Sequence, residues 1–261
     1  MSAVVRMLAR LGALLAFVAP PSSAGGPYVA LGDSFSSGTG TRAYELSPAC
    51  QRSRHAYPAL VAERRPNLKL AFAACAGATT EDVLRDQMSS VDDATRLVTI
   101  TIGGNDAGYA PVLGACLQSP AACARATDRA QRFIRAELPG RLDAVYAEIR
   151  RRAPAAKVIV LGYPRLFTGR SCAAAAIARA GLSRLNRAAD LLRDTTGAAV
   201  RAAGEGFVFR DAIAPFQRHE ICSQRPWING LTSPITESFH PNAAGHSRGY
   251  APLVLRAIAG S

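Results

Sequence analysis

The stretch YVALGDSFSSG, from Tyr28 to Gly38, decides how the rest of the sequence is interpreted. Its first half is apolar and typical of a buried strand, whereas Gly32, Asp33 and Ser34 suit a tight turn or a helix cap. A strand end of this composition is most often only a turn. The serine gains a chemical role only where a base and hydrogen-bond donors lie at neighbouring strand ends.

Five short runs are rich in β-forming residues, and longer stretches with helical periodicity separate them. Alternation of strand and helix predicts parallel pairing, right-handed crossovers and helices on both faces of the sheet. We therefore predict an α/β fold, a three-layer α/β/α sandwich, in a single domain without internal repeats or low-complexity linkers. The predicted strands are 27–33, 68–75, 96–104, 156–164 and 206–211.

Residues 1–24 have the three-part pattern of a secretory signal peptide. Arg6 and Arg10 accompany an apolar run, and small Ser22 and Ala24 precede the expected cleavage point. The run is shorter than the roughly 20 apolar residues of a permanent membrane anchor. We expect a secreted, soluble protein whose catalytic domain is 25–261; the alternative is a buried N-terminal helix.

The six cysteines all follow the expected cleavage point. An even number of cysteines in an exported chain predicts disulfides, and the paired C-x-x-C spacing of many metal sites is absent. Spacing alone favours only a short loop between Cys116 and Cys123 and leaves the other pairings open.

The formal net charge is +12, and almost every basic residue is an arginine. Nucleic-acid binding would require these charges to gather in a stripe, whereas they are scattered along the chain. We expect no nucleic-acid partner. An anionic lipid or cell-wall surface is the alternative partner of such a charge.

Ligands of parallel sheets bind at the carboxyl ends of the strands. Ser34 follows the first predicted strand, Gly77 the second and Asn105 the third. The segment TESFHPNAAGH, 236–246, follows the fifth strand and can fold back over the same edge. These residue types are therefore expected to meet in one site.

A serine hydroxyl needs a base to become a nucleophile. Among the four histidines we favour His240, because Pro241 and Asn242 begin a helix that would fix the imidazole. Glu237 lies three residues earlier and is the candidate to hold the ring in the required tautomer. Together with Ser34 they predict a Ser-His-Glu triad. We expect His246 to pack or cap, His55 to lie in a loop, and His219 to be either structural or part of a pocket wall.

Attack on an acyl carbonyl creates an oxyanion that needs N–H donors, each worth about 3 to 4 kcal/mol in the transition state. The predicted donors are the backbone N–H groups of Ser34 and Gly77 and the side-chain amide of Asn105. Gly77 suits this role because a residue without Cβ lets the backbone approach the reacting carbon.

The motifs GDSFSSG, the glycine of CAGATT, GGND and FHPN, in this order, resemble the four blocks of the SGNH (GDSL) hydrolases. The resemblance covers essentially the whole chain after residue 24 and is closest to secreted actinobacterial esterases and lipases. It implies a flavodoxin-like fold with a five-stranded parallel sheet, no cofactor and no metal. It also implies three disulfides, Cys50–Cys75, Cys116–Cys123 and Cys172–Cys222. One departure is Glu237, because many members have Asp there and some secreted ones use a backbone carbonyl instead.

The expected function is a carboxylic ester hydrolase, an esterase or lipase acting on lipid or acyl-glycerol esters through an acyl-enzyme on Ser34. A phospholipase or a carbohydrate acetyl esterase would use the same residues, and a non-catalytic carbohydrate- or surface-binding module is the alternative from another class. Nucleotide binding is disfavoured because no G-x-x-x-x-G-K-[ST] or G-x-G-x-x-G follows a strand. We expect a monomer without a stable membrane anchor.

Overall fold

The computed structural model describes residues 25–260, so the signal-peptide prediction for 1–24 lies outside the described residues. The five predicted strands are present and form one parallel sheet. They are β1 Gly26–Gly32, β2 Leu68–Phe72, β3 Leu97–Thr101, β4 Lys157–Leu161 and β5 Phe207–Arg210. The α/β prediction is therefore confirmed.

The strand order is β2-β1-β3-β4-β5, and β1 and β3 lie inside the sheet. Every residue of β3 is buried, as expected for a strand covered on both faces. The chain passes from β1 outward to β2 and then returns to the other side of β1, so the winding direction reverses between β1 and β3. In open parallel sheets this reversal opens a crevice beyond the strand ends, which is where ligands bind.

The helices form two groups, one on each face of the sheet. Helices α2 and α9 pack together, and α5, α6 and α7 pack together. In chain order the helices are α1 Ser34–Ser37, α2 Tyr57–Arg64, α3 Thr80–Asp82, α4 Tyr109–Gln118, α5 Pro120–Ala136, α6 Leu138–Arg152, α7 Arg179–Ala202, α8 Ile213–Phe216 and α9 Ala251–Ala259. A π-helical turn, Val83–Gln87, extends α3, and another, Gly245–Tyr250, leads into α9.

The sequence-based prediction makes several strands too long and treats two helices as one. β3 ends at Thr101, three residues before the predicted end, because Gly103 has φ +104 and turns the chain away from the sheet. The helical pattern of 129–153 divides at Glu137 into α5 and α6. Pro139 explains the division, since proline fits the first turn of a helix and not its interior.

Three disulfides join Cys50 to Cys75, Cys116 to Cys123 and Cys172 to Cys222. This pairing is the one implied by the resemblance. The second bridge fastens the end of α4 to the start of α5. Between residues 25 and 260, no helix combines the length and the apolar character needed to cross a membrane.

Candidate active site

Ser34 begins the one-turn helix α1 directly after β1 and is only 6% exposed. Asp33 caps this helix, because its side chain accepts hydrogen bonds from the backbone N–H of Phe35 at 3.0 Å and the Thr101 hydroxyl at 2.8 Å. The Tyr163 hydroxyl donates to the other carboxylate oxygen. Burial raises the pKa of Asp33 to about 6, against the lowering effect of these donors. Asp33 thus fixes the turn, as its sequence context predicts.

His240 meets Ser34 at hydrogen-bond distance, with 2.9 Å between Nε2 and the serine Oγ. Its other ring nitrogen, Nδ1, lies 2.9 Å from the backbone carbonyl oxygen of Ser238. Burial lowers the pKa of His240 to about 4, so the imidazole is neutral near pH 7. A neutral ring that donates from Nδ1 to Ser238 has a free lone pair on Nε2, which can accept the serine proton.

The carboxyl group of Glu237 is not the partner of His240, which corrects the predicted Ser-His-Glu triad. Glu237 lies in a 3-10 turn, and its Oε1 accepts a hydrogen bond from the Tyr44 hydroxyl. Its Oε2 is buried without a hydrogen-bond partner. The turn directs this side chain toward the loop of Tyr44, and the extended backbone of Ser238 instead turns its carbonyl oxygen toward Nδ1.

The three predicted oxyanion donors line the same cavity as Ser34 and His240. Within residues 25–260, the backbone N–H groups of Ser34 and Gly77 have no hydrogen-bond acceptor. Gly77 has φ +83, and a Cβ there would meet nothing within 4 Å. This left-handed backbone conformation favours glycine, and the open space beside it leaves the approach of a reacting carbon to Gly77 as a prediction. The Asn105 amide donates to the Ala78 carbonyl at 2.9 Å, which fixes the side chain beside Gly77.

Asp106, which the sequence did not single out, joins the turn after β3 to the turn after β2. Its fully buried carboxylate accepts hydrogen bonds from the Thr80 backbone N–H at 3.0 Å and the Thr80 hydroxyl at 2.5 Å. Together with the bond from Asn105 to Ala78, it fixes the distance between the two turns. In the sequence, the sign of this joining role was the acidic residue that follows asparagine in the GGND motif.

The Ser34 cavity, named for its nucleophile candidate, has a volume of about 500 Å³. Much of its wall is apolar, and Ile235 at its edge is 62% exposed. No Lys, Arg, Asp or Glu is among the described residues that line it. Its apolar side chains include Pro48, Ala49, Ala110, Leu113, Leu117 and Ile235. An uncharged, mostly apolar cavity suits the acyl chain of an ester better than a charged ligand.

The remaining histidines lie away from this cavity. His246 is buried and accepts a hydrogen bond at Nδ1 from the Tyr57 backbone N–H at 3.2 Å, and burial lowers its pKa to about 3. His219 stacks on Trp227 with 3.7 Å between ring centroids, and His55 is exposed. Within residues 25–260, no cluster of three or more His, Cys, Asp or Glu is arranged to hold a metal ion.

The chain is similar to known lipases over most of its length. A model of the GDSL-like Lipase/Acylhydrolase family matches residues 30–248. A lipase of Streptomyces rimosus is 46% identical over 250 residues, 95% of this chain and 92% of the relative, and Lipase 1 of Streptomyces coelicolor is 43% identical over 247 residues, 93% and 90% of the two chains.

Two solved structures have the same fold at high identity. The extracellular lipase of Streptomyces rimosus matches with a TM-score of 0.85 and 44% identity, over 89% of this chain and 99% of the other. Phospholipase A1 of Streptomyces albidoflavus NA297 matches with a TM-score of 0.85 and 43% identity, over the same shares of the two chains.

Proposed function

This chain belongs to the GDSL-like lipase/acylhydrolase family and is a carboxylic ester hydrolase, and from this premise we propose that it hydrolyses lipid esters through an acyl-enzyme on Ser34. The observation that carries the proposal is the distance of 2.9 Å between Ser34 Oγ and His240 Nε2 at the edge of a mostly apolar cavity.

In the first step, His240 Nε2 removes the hydroxyl proton of Ser34 while Oγ attacks the ester carbonyl carbon. The imidazolium that forms donates from Nδ1 to the Ser238 carbonyl oxygen, which stabilises its charge. The negative charge on the former carbonyl oxygen is received by the N–H groups of Ser34 and Gly77 and the Asn105 amide. The two backbone N–H groups have no acceptor in the described residues, so they are available for this role.

In the second step, the tetrahedral intermediate collapses and the C–O bond to the alcohol breaks. His240 Nε2 gives its proton to the leaving alkoxide, and the acyl group remains on Ser34. A water molecule then gives a proton to Nε2 while its oxygen attacks the acyl carbon. The bond from that carbon to Ser34 Oγ breaks, Nε2 returns the proton to Oγ, and the carboxylic acid leaves.

A long-chain acyl ester is the substrate that the cavity supports best. Its apolar side chains favour methylene groups, since each buried CH₂ contributes about 0.8 kcal/mol. An acetylated sugar would instead need a wall rich in polar groups. The relatives named lipase support acylglycerols, and the phospholipase A1 structure at 43% identity supports phospholipids as a second candidate.

Secretion and a monomeric state belong to the same proposal. An extracellular lipase at 44% identity supports export, in keeping with the predicted signal peptide at 1–24. A monomer is supported because Ser34, His240, Gly77 and Asn105 all come from one chain.

The test is hydrolysis of p-nitrophenyl esters from acetate to palmitate, and of triacylglycerol and phosphatidylcholine, by the mature protein with chelator present. Ser34→Ala and His240→Ala should each lower kcat by roughly 10⁴-fold or more. Ser183→Ala, which alters an exposed serine on α7, is the matched control and should keep full activity. Equal rates in Ser34→Ala and the unaltered protein would contradict the proposal.

A further inference from the structure

A second apolar cavity lies behind the Ser34 cavity, between α4, α5 and α7; we name it the rear cavity. Its volume is about 80 Å³. It reaches Phe35 and Gly104, which lie beside Ser34 and Asn105. The side chains that line it include Val112, Ile134, Leu166, Leu185, Ala189 and Leu192.

One face of α4 separates the two cavities. Tyr109 and Leu113 line both of them, and these residues are four positions apart, so they lie on the same side of the helix. The Tyr109 hydroxyl donates to the Phe239 carbonyl at 2.5 Å, which holds that ring in place. The Cys116–Cys123 bridge fastens α4 to α5. With the helix and the tyrosine held, the Leu113 side chain is the part of this wall that can move by changing rotamer.

The polar atoms of the rear cavity are already satisfied. Of its lining side chains only Tyr109 and Tyr163 have hydroxyl groups, and these donate to Phe239 and Asp33. The Tyr163 oxygen also accepts from the Gly104 backbone N–H at 3.1 Å. This lining offers water no free hydrogen-bond partner and favours apolar groups. The apolar chain nearest to it is the acyl group of a substrate in the Ser34 cavity.

We propose that the rear cavity binds the distal methylene groups of long acyl chains and that Leu113 determines their entry. This inference rests on the proposed acyl-enzyme function and deepens it by naming the residue that sets chain-length preference. Short acyl groups end before the wall of Tyr109 and Leu113 and are indifferent to it. Long ones gain contact with the rear cavity, and each methylene that does so changes kcat/KM by about 4-fold.

The decisive variant is Ala189→Leu, which fills the rear cavity from α7 and does not touch the Ser34 cavity. We expect kcat/KM for p-nitrophenyl palmitate to fall roughly 10-fold, with the value for the butyrate ester unchanged within about 2-fold. Leu113→Ala opens the wall and should raise the palmitate-to-butyrate ratio. The control is Leu117→Ala, one helical turn along α4, which enlarges only the Ser34 cavity and should leave the effect of Ala189→Leu intact.

Binding measured without turnover separates this inference from the proposed function. In the Ser34→Ala background, calorimetric titration with palmitate should show weaker binding when Ala189→Leu is added, whereas octanoate should bind equally to both proteins. Thermal unfolding of each variant checks that it is folded. An unchanged palmitate affinity and an unchanged palmitate-to-butyrate ratio in folded Ala189→Leu would overturn the inference. Persistent hydrolysis by Ser34→Ala would instead contradict the proposed function.

Discussion

Ser34 and His240 lie within hydrogen-bond distance of each other but are held in different ways. Ser34 follows directly from the buried strand β1, whereas His240 lies in a loop, three residues after the 3-10 turn Ile235–Glu237. Below the serine, Asp33 accepts three hydrogen bonds, from Phe35, Thr101 and Tyr163. Behind the histidine, Glu237 accepts one, from Tyr44, and its other oxygen has none. We call Ser34 with Asp33 the serine side of the site and His240 with Glu237 the histidine side. Each side has a buried carboxylate that accepts a hydrogen bond from a tyrosine, but only on the serine side do both carboxylate oxygens have partners.

The difference shows how the two side chains are positioned. The serine side is fixed by the sheet, because Asp33 bonds to Thr101 of the neighbouring strand. The histidine side is fixed by contacts between distant loops: the Asn229 amide donates to the carbonyls of Gly40 and Glu237, and the Asn229 backbone N–H donates to the His240 carbonyl. We therefore expect the histidine side to respond first to solution conditions and mutation.

The largest expected effect is the loss of activity when His240 is protonated. An unperturbed imidazole would lose its base function near pH ~6 to 7. Burial lowers the pKa of His240 to about 4, so kcat/KM should stay level below pH 6 and reach half its maximum only near that pKa. Below it, the rate should fall about 10-fold for each pH unit. A half-maximum near pH 6.5 would mean that the ring is more hydrated than its position indicates.

Stability must be measured alongside this profile, by circular dichroism at each pH. The lowered pKa values of His240 and His246 mean that the unfolded chain binds protons that the folded chain does not. Their contribution to stability therefore decreases as the pH falls from about 6.5 towards their folded pKa values. The raised pKa of Asp33 has the opposite sign: it stabilises the fold at low pH, and this contribution is lost as the pH rises through about 6.

Next in size is the effect of the disulfides that brace the two sides. Cys50–Cys75 closes a separation of 25 residues just before Gly77, and Cys172–Cys222 closes one of 50 residues before the segment that pairs with His240. Loop-closure entropy predicts losses of about 3.5 and about 4 kcal/mol when the respective pairs are changed to serine. Urea titration followed by circular dichroism measures both values.

Activity in the same titrations sharpens the comparison between the two sides. Without Cys172–Cys222, activity should disappear at a lower urea concentration than the helical signal, since the histidine side can open while the sheet persists. Without Cys50–Cys75, the two transitions should lie closer together. Coincident transitions in both variants would indicate that the histidine side is as cooperative with the sheet as the serine side.

A smaller loss is expected from Asp33→Ala. The change leaves the buried N–H of Phe35 and the hydroxyls of Thr101 and Tyr163 without their acceptor, and an unsatisfied buried donor costs about 1 to 3 kcal/mol. Relief from burying the carboxylate offsets part of this cost, so we expect about 3 kcal/mol in the free energy of unfolding. Asp33→Asn, which keeps an acceptor oxygen, is the matched control and should cost less. Equal losses from both changes would show that the charge of Asp33 matters more than its hydrogen bonds.

The serine side could be predicted from the sequence to a much greater extent than the histidine side. The polar residues that follow β1, β2 and β3 are adjacent to strongly β-forming runs, and the parallel sheet brings strand ends together. His240 was identifiable from Pro241 and Asn242, and the Asn242 side chain does cap the following helical turn. Its local motif, however, gives no information on the partner of Nδ1.

The contacts that determine this partner span the chain. Tyr44 and Glu237 are 193 residues apart, and Tyr109 and Phe239 are 130 apart. No periodicity or turn signal relates such residues, because the pairing is decided by how loops from different strand ends meet. The sequence therefore offered only a local signal, the position of Glu237 three residues before His240, and this signal suggested a triad. The backbone carbonyl that replaces it has no sequence signature at all.

The smallest expected effect comes from Glu237→Gln, and it distinguishes the two ways of orienting His240. Where a carboxylate holds the imidazole directly, changing it to an amide lowers kcat by about 10⁴-fold. Here the Ser238 carbonyl accepts from Nδ1, and a glutamine at position 237 still offers an oxygen to Tyr44. We expect kcat/KM to fall by less than about 5-fold, with an unchanged acid limb in the pH profile.

Tyr44→Phe tests the same contact from its other partner, because it removes the only donor to the Glu237 carboxyl among the described residues and leaves the acid unchanged. If Glu237 acts only by holding its loop, the two substitutions should have similar effects, and the double variant should lose little more than either single one. A loss of several thousand-fold in Glu237→Gln, with Tyr44→Phe nearly silent, would instead mean that the carboxylate reaches the ring during the reaction. The histidine side would then rearrange on substrate binding, while the serine side, held by the sheet, would not.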